Sequence, residues 1–195
     1  LTLHNEPYPM PPMPEGVEQG ILDGIYRLRP APGDGRSRVQ LLGSGAILNQ
    51  VLRAQQLLLE RYQIAADVWS VTSYCKLRRE AMACERENRL QPTAPPRVPV
   101  VTAALERTEG PVIAATDFVT EVPDQILRWV PSMVSLGTDG FGHSDTRPAL
   151  RRFFEVDAEH ITVAALKALA DRGELEARQV AAAIEELGLA RATPP

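Results

Sequence analysis

Val39-Gln-Leu-Leu-Gly-Ser-Gly-Ala46 passes from an apolar run through a glycine turn into a long segment with helical spacing, and Ala66-Asp-Val-Trp-Ser-Val71 ends that unit with a second apolar run. Ile47, Val51, Leu58 and Tyr62 recur at the interval of one helix face, so the segment after the turn, residues 46–62, is expected to be an amphipathic helix. Short apolar strands joined through a helix require a crossover, and crossovers of this kind build parallel sheets with helices on both faces. The stretch therefore points to a three-layer αβα domain with a mainly parallel sheet of about five strands.

The remaining chain fits that scheme. Further strands are expected over residues 98–104, 112–115 and 133–136, with a helix over residues 121–130. Asp157 is placed to cap a helix that Gly173 would end, and residues 175–187 form another, with Val180, Ala183, Ile184 and Leu187 as its buried stripe before Gly188. Thr193-Pro-Pro195 is expected to fray. Upstream, residues 1–14 hold five prolines, which suit an extended arm rather than a helix or inner strand. A short helix is expected over residues 15–28 and a polar break over residues 29–38. The division is thus an arm, short helix and linker over residues 1–38, and the α/β domain over residues 39–195.

The chain has 195 residues and a formal net charge of −4, which argues against non-specific attraction to nucleic acid or anionic membrane. No apolar run approaches the ~20 residues that span a bilayer. Cys75 and Cys84 stand nine positions apart, too far for a paired zinc motif, and His4, His143 and His160 are scattered. Two buried or half-buried free thiols in a reducing, cytoplasmic compartment are the expectation. Because the first residue is Leu1 rather than Met, a longer parent polypeptide is expected.

Several segments could carry chemistry. Gly43-Ser-Gly45 lies where a strand meets a helix, a place that can hold an anion. Leu48 stands where a dinucleotide fingerprint needs its third glycine, and no Gly-Lys-Ser/Thr follows, so a tight structural turn is the favoured reading. Gly33-Asp-Gly35 reads as a solvated turn. Ser70-Val-Thr-Ser-Tyr74 brings hydroxyls to the carboxyl edge of the sheet, where ligands bind in such folds, but those hydroxyls also suit capping of the next helix. Cys84-Glu-Arg-Glu-Asn-Arg89 is a charged helical face or an ion-pair network. In Leu136-Gly-Thr-Asp-Gly-Phe-Gly-His-Ser-Asp145, the group Asp139, His143 and Asp145 could do acid–base work. The structural alternative has Asp139 bonding loop amides, and Ser144 or Asp145 capping the helix that carries Arg151-Arg-Phe-Phe154.

Taken together, these motifs resemble the C-terminal region of the homodimeric bacterial pyruvate dehydrogenase component. The resemblance runs through Met10-Pro-Pro-Met-Pro-Glu-Gly16, Gly24-Ile-Tyr26, Leu41-Leu-Gly-Ser-Gly45 and Asp67-Val-Trp-Ser-Val-Thr-Ser73. It continues through Cys84-Glu-Arg86, Thr116-Asp117 and the run from Leu136 to Asp157. The chain departs from the family's pattern at Glu87, where an aromatic residue is usual, and at Leu90-Gln-Pro92, where Leu-His-Pro is usual.

The resemblance implies a transketolase C-terminal-like domain in a subunit that decarboxylates pyruvate and reductively acetylates the lipoyl group of a partner acyltransferase. Thiamine diphosphate and magnesium would be held by the other domains of the intact enzyme, with no cofactor, metal or catalytic residue in this chain. The partners implied are the remainder of the same subunit, its homodimer mate and the lipoyl-bearing acyltransferase. Thr138, Asp139, Gly140, Phe141, Gly142, Glu85 and Arg86 are the candidate interdomain or dimer contacts. Two other readings stand beside this one: a regulatory α/β domain binding a small molecule or anion, and a pure protein-interaction module.

Overall fold

The computed structural model describes residues 7–33 and 37–189. His4, the Asp34 and Gly35 of the expected solvated turn, and Thr193-Pro-Pro195 lie outside the described residues. Five strands form one sheet in the order β1-β3-β2-β4-β5: β1 Ile25–Arg29, β2 Arg38–Gly43, β3 Ala65–Val71, β4 Val112–Ala115 and β5 Val134–Leu136. The last four run parallel, and β1 pairs antiparallel with β3. Helices α1 Glu18–Asp23, α2 Leu48–Tyr62, α3 Tyr74–Leu90, α4 Val100–Leu105, α5 Glu121–Asp124, α6 Arg147–Phe153, α7 Ala158–Asp171 and α8 Ala177–Glu186, with a 3-10 turn Gly45–Ile47 before α2, complete the described elements.

Strand alternation sorts the apolar side chains into two cores. Leu41, Val68 and Ile113 join Val51 and Leu58 of α2 and Ile161 and Leu169 of α7. On the opposite face Leu42, Trp69 and Ala114 meet Leu77 of α3 and Val101 and Leu105 of α4. All seven residues of β3 are buried, as a strand covered on both faces requires. Sealing a leucine such as Leu41, which has no exposed surface, stabilises the fold by roughly 1.5–3 kcal/mol. A polar seam crosses the α3/α4 face: Trp69 Nε1 donates to Gln40 Oε1 at 2.8 Å, and Gln40 Nε2 donates to Glu109 O at 2.9 Å. Asp67 accepts from Gln40 at 3.3 Å and from the Ala31 amide at 3.1 Å, which ties the segment after β1 to the sheet.

Three elements differ from the sequence-based expectations. The helix expected over residues 15–28 stops at Asp23, because Gly24 turns left-handed at φ 108°. Ile25 then enters edge strand β1, so the segment expected to precede the α/β domain supplies one strand of its sheet. The strand expected over residues 98–104 is α4, whose Val100 amide donates to the Glu80 carboxylate at 3.0 Å. The helix expected over residues 121–130 is cut to α5, with turns through Val130. The two terminal helices agree with expectation. The Asp157 side chain caps α7 by accepting from His160 N, and Val180 and Ala183 are the buried face of α8.

Candidate functional site

The sheet reverses its winding between β2 and β4. The chain leaves β2 through α2 to reach β3 on one side, and returns through α3 and α4 to β4 on the other. In a doubly wound fold that reversal leaves a crevice at the carboxyl ends of the strands, and ligands bind there. Here the crevice is bridged by the chain's own groups. Ser44 Oγ after β2 donates to Thr116 Oγ1 after β4 at 2.7 Å. The Ala46 amide, at the start of the following helical turn, faces Asp117 Oδ2 at 3.5 Å. Gly45 adopts φ 56°, and a Cβ there would lie 2.3 Å from Asp117 Oδ1, so this glycine is needed for the close approach as well as the turn.

Gly43-Ser-Gly45 is therefore a turn whose anion position is taken by the Asp117 carboxylate, in agreement with the structural reading of that motif. A diphosphate brought to the same amides would meet a like charge. Among the described residues no group of three His, Cys, Asp or Glu side chains could hold a metal ion. The donor set does not fit a magnesium diphosphate group.

Asp117 divides the crevice into two pockets, of about 290 Å³ towards α6 and about 400 Å³ towards α3. Its Oδ1 is buried without a hydrogen-bond partner among the described residues. Two of the hydroxyls expected at this edge are committed within the chain, while the Tyr74 hydroxyl is buried without a hydrogen-bond partner among the described residues. Ser73 Oγ caps α3 by accepting from Lys76 N at 3.1 Å, and Thr72 Oγ1 donates to Ile21 O at 2.8 Å.

The loop after β5 is stitched to the loop after β4. Thr138 N donates to Phe118 O at 2.9 Å, and Thr138 Oγ1 donates to Asp117 O at 2.9 Å. Asp139 receives the Thr120 amide at 2.9 Å and the Thr120 hydroxyl at 2.7 Å. Gly137 permits this: a Cβ on it would stand 2.6 Å from Phe118 O. Further out the loop opens, with no atom of the described residues within 4 Å of a Cβ built at Gly140 or Gly142. Phe141 at its tip is 92% exposed.

The suggested acid–base group is not assembled. Asp139 is spent on Thr120, and the His143 ring packs on Phe153 at 4.3 Å between centroids. Among the described residues Asp145 accepts its neighbour's amide, Thr146 N, at 2.6 Å. The expected capping of α6 by Ser144 or Asp145 is also corrected: Thr146 is the N-cap, without a side-chain bond to the helix.

Glu85 and Arg86 sit on α3. Glu85 accepts Trp129 Nε1 at 2.8 Å and pairs with Arg128 at 3.1 Å, while Arg86 is exposed. The charged run around them is partly an internal network. Asn88 brackets the Arg97 backbone with two bonds of 2.8 Å, and the Arg97 side chain reaches Glu80 at 3.3 Å and also Glu87. Cys84 is buried and donates to Arg97 O at 3.1 Å. Its burial, with Glu80 beside it, pushes the thiol pKa up. Cys75 is exposed, contrary to the expectation of two buried or half-buried thiols, because it points outward from the first turn of α3.

Arg152, which the interaction-module reading of the sequence gives to protein contacts together with Arg147 and Arg151, is used within the domain. Its guanidinium joins the Asp157 carboxylate at 3.1 Å to the Leu187 and Gly188 carbonyls, each at 3.1 Å, so one side chain ties the start of α7 to the end of α8. Burial opposes ionisation of Asp157, but hydrogen bonds from His160 and Arg152 outweigh it and hold the carboxyl below the ordinary aspartate value. No helix among the described residues is long and apolar enough to cross a membrane.

A five-stranded αβα sheet with its crevice bridged from within defines a class, and the chain belongs to the family described as the transketolase-like TK C-terminal domain, which matches residues 24–157. Within it, the chain is 49% identical over 191 residues to the pyruvate dehydrogenase E1 component of Pseudomonas aeruginosa, covering 97% of this chain and 22% of that protein. Identity to the protein of that name from Escherichia coli is 45% over 191 residues, covering 97% of this chain and 21% of that one. For Mycobacterium tuberculosis the figures are 49% over 178 residues, 90% and 19%. The chain thus spans about a fifth of the length of these curated relatives. A transketolase mutant from Pichia stipitis superposes with a TM-score of 0.54 at 18% identity, over 80% of this chain and 19% of that one. Transketolase from Campylobacter jejuni does so at 0.52 and 17%, over 80% and 20%. At such identity the likeness shows the fold alone.

Proposed function

We propose that this chain is the C-terminal domain of a thiamine diphosphate-dependent pyruvate dehydrogenase subunit, and that it supports the parts of that subunit that hold the cofactor and magnesium. In this reading the intact, homodimeric subunit decarboxylates pyruvate and passes the acetyl unit to a lipoyl group on an acyltransferase. The cofactor supplies the carbanion chemistry; the protein binds and orients it. The observation that carries the proposal is the identity of 45–49% to proteins named pyruvate dehydrogenase E1 component, sustained over 90–97% of this chain.

The geometry supports a supporting rather than a catalytic role. Asp117 and Asp139 are turned inward to hold two loops together, and a diphosphate at the Gly45 turn would be repelled by Asp117. Thr138, Asp139, Gly140, Phe141 and Gly142, together with Glu85 and Arg86, are proposed contacts to other domains. The test is pyruvate-dependent reduction of an artificial electron acceptor. The full-length subunit is expected to turn over with thiamine diphosphate and magnesium, and the 195-residue chain is expected to show no turnover above buffer. Turnover by the chain alone, or none by a folded full-length subunit, contradicts the proposal.

A further inference from the structure

We infer that the open tip of the glycine loop docks against the body of the same polypeptide that precedes Leu1, and not against the partner subunit. The inference rests on the reading of the chain as the C-terminal part of a longer subunit, and it adds which body covers this surface.

The surface is built from the two stitched loops. Phe141 projects 92% exposed, and Phe118 and Val119, on the loop after β4, are 49% and 39% exposed. The stitching bonds through Thr138 and Asp139 hold the roots of the two loops together. Gly140 and Gly142 leave open space on both sides of Phe141, so an approaching surface meets backbone and one aromatic ring. An exposed aromatic projection on an edge that also exposes Phe118 and Val119 is the form of an anchor residue. At the base of the same edge lies Asp117 Oδ1, buried and without a hydrogen-bond partner among the described residues. A carboxylate oxygen in that condition is costly unless a donor reaches it from outside.

The arm says where the preceding body lies. Tyr8 lines the pocket that Thr138, Gly140, Gly142 and His143 also line. Its ring lies beneath the guanidinium groups of Arg147 and Arg151, at 5.1 and 5.8 Å. The arm is therefore anchored beside the glycine loop. Between Leu1 and Pro7 there are six peptide links, which span at most about 22 Å. Whatever precedes Leu1 must start within that reach of Pro7, next to the pocket that Tyr8 and the glycine loop both line. Covalent attachment at such short range gives the preceding body a high effective concentration at this surface, which a separate subunit does not have.

The test uses the full-length polypeptide with the photo-reactive residue p-benzoylphenylalanine in place of Phe141, and in a control in place of Leu90. Leu90 is also exposed, at 58%, but ends α3 away from the carboxyl edge. After irradiation, denaturing electrophoresis and peptide mapping report the partner. Position 141 is expected to join peptides that precede Leu1 in a product of single-subunit mass, at least ten times more than position 90 does. A product of double mass from position 141, no cross-link from it, or equal yields at the two positions overturns the inference. Pyruvate-dependent turnover of the unsubstituted full-length polypeptide reports separately on the proposed function. An inactive subunit with the expected cross-link would sink that function and leave the docking in place.

Discussion

Two glycine-rich loops leave the same edge of the sheet, and they are built in opposite senses. The turn after β2 closes inward: Gly45 takes a left-handed conformation so that the Asp117 carboxylate can lie against it, and Ser44 bonds across to Thr116. The loop after β5 closes inward only at its root, where Gly137 lies against the Phe118 carbonyl, and opens at Gly140, Phe141 and Gly142. The same residue type thus serves an internal close approach in one place and leaves room for an external one in the other. Composition does not separate the two; what separates them is which neighbour the missing Cβ would have met.

Substitution by alanine breaks this comparison at graded positions. The largest effect is expected at Gly137, where a Cβ would sit 2.6 Å from one backbone atom and 2.7 Å from another. Neither can rotate away, so Gly137→Ala is expected to cost about 3 kcal/mol in urea unfolding. Gly45→Ala meets a carboxylate that can swing aside, but it keeps the penalty of φ 56°. A loss of about 1.5 kcal/mol by the same measurement is expected.

A third region provides a contrast that depends on charge rather than space. Asp157 titrates below its ordinary value of 3.8 in the folded chain, so in acid the unfolded chain binds more protons. Its contribution to stability is full well above that value and is lost as the pH falls through the lower, folded pKa. Asp157→Asn retains a capping oxygen but not the charge. Its unfolding free energy is expected to fall less steeply with acid than that of the unaltered chain, as measured by urea titrations between neutral pH and pH 3. The smallest effect is expected at Gly142, where nothing among the described residues lies within 4 Å. Gly142→Ala should change stability by less than about 0.5 kcal/mol, and a larger loss would mean that the loop tip is packed within the domain.

The unit from β2 through α2 to β3 was legible in the sequence because its signals are local. Apolar runs, a glycine turn and helical spacing agree along one stretch. The Asp157 cap was legible for the same reason. β1 was hidden because Val17, Ile21, Leu22 and Ile25 keep helical spacing straight across Gly24, and only pairing with β3 gives Ile25–Arg29 its extended form. For α4, a β-branched run read as a strand takes its helical start from the Glu80 carboxylate, which lies on another helix. The candidate contacts on the glycine loop were legible as a motif, but the role of Asp117 was not. Thr116-Asp117 shows only a polar pair after an apolar strand, and the turn it bridges lies 71 residues earlier in the chain.

The chain's own Asp117 carboxylate occupies the turn that could otherwise receive a diphosphate, which is why the proposed function gives the cofactor to other domains. Calorimetric titration of the 195-residue chain with thiamine diphosphate and magnesium tests that claim most directly. No saturable heat is expected, and micromolar binding would contradict the proposed supporting role.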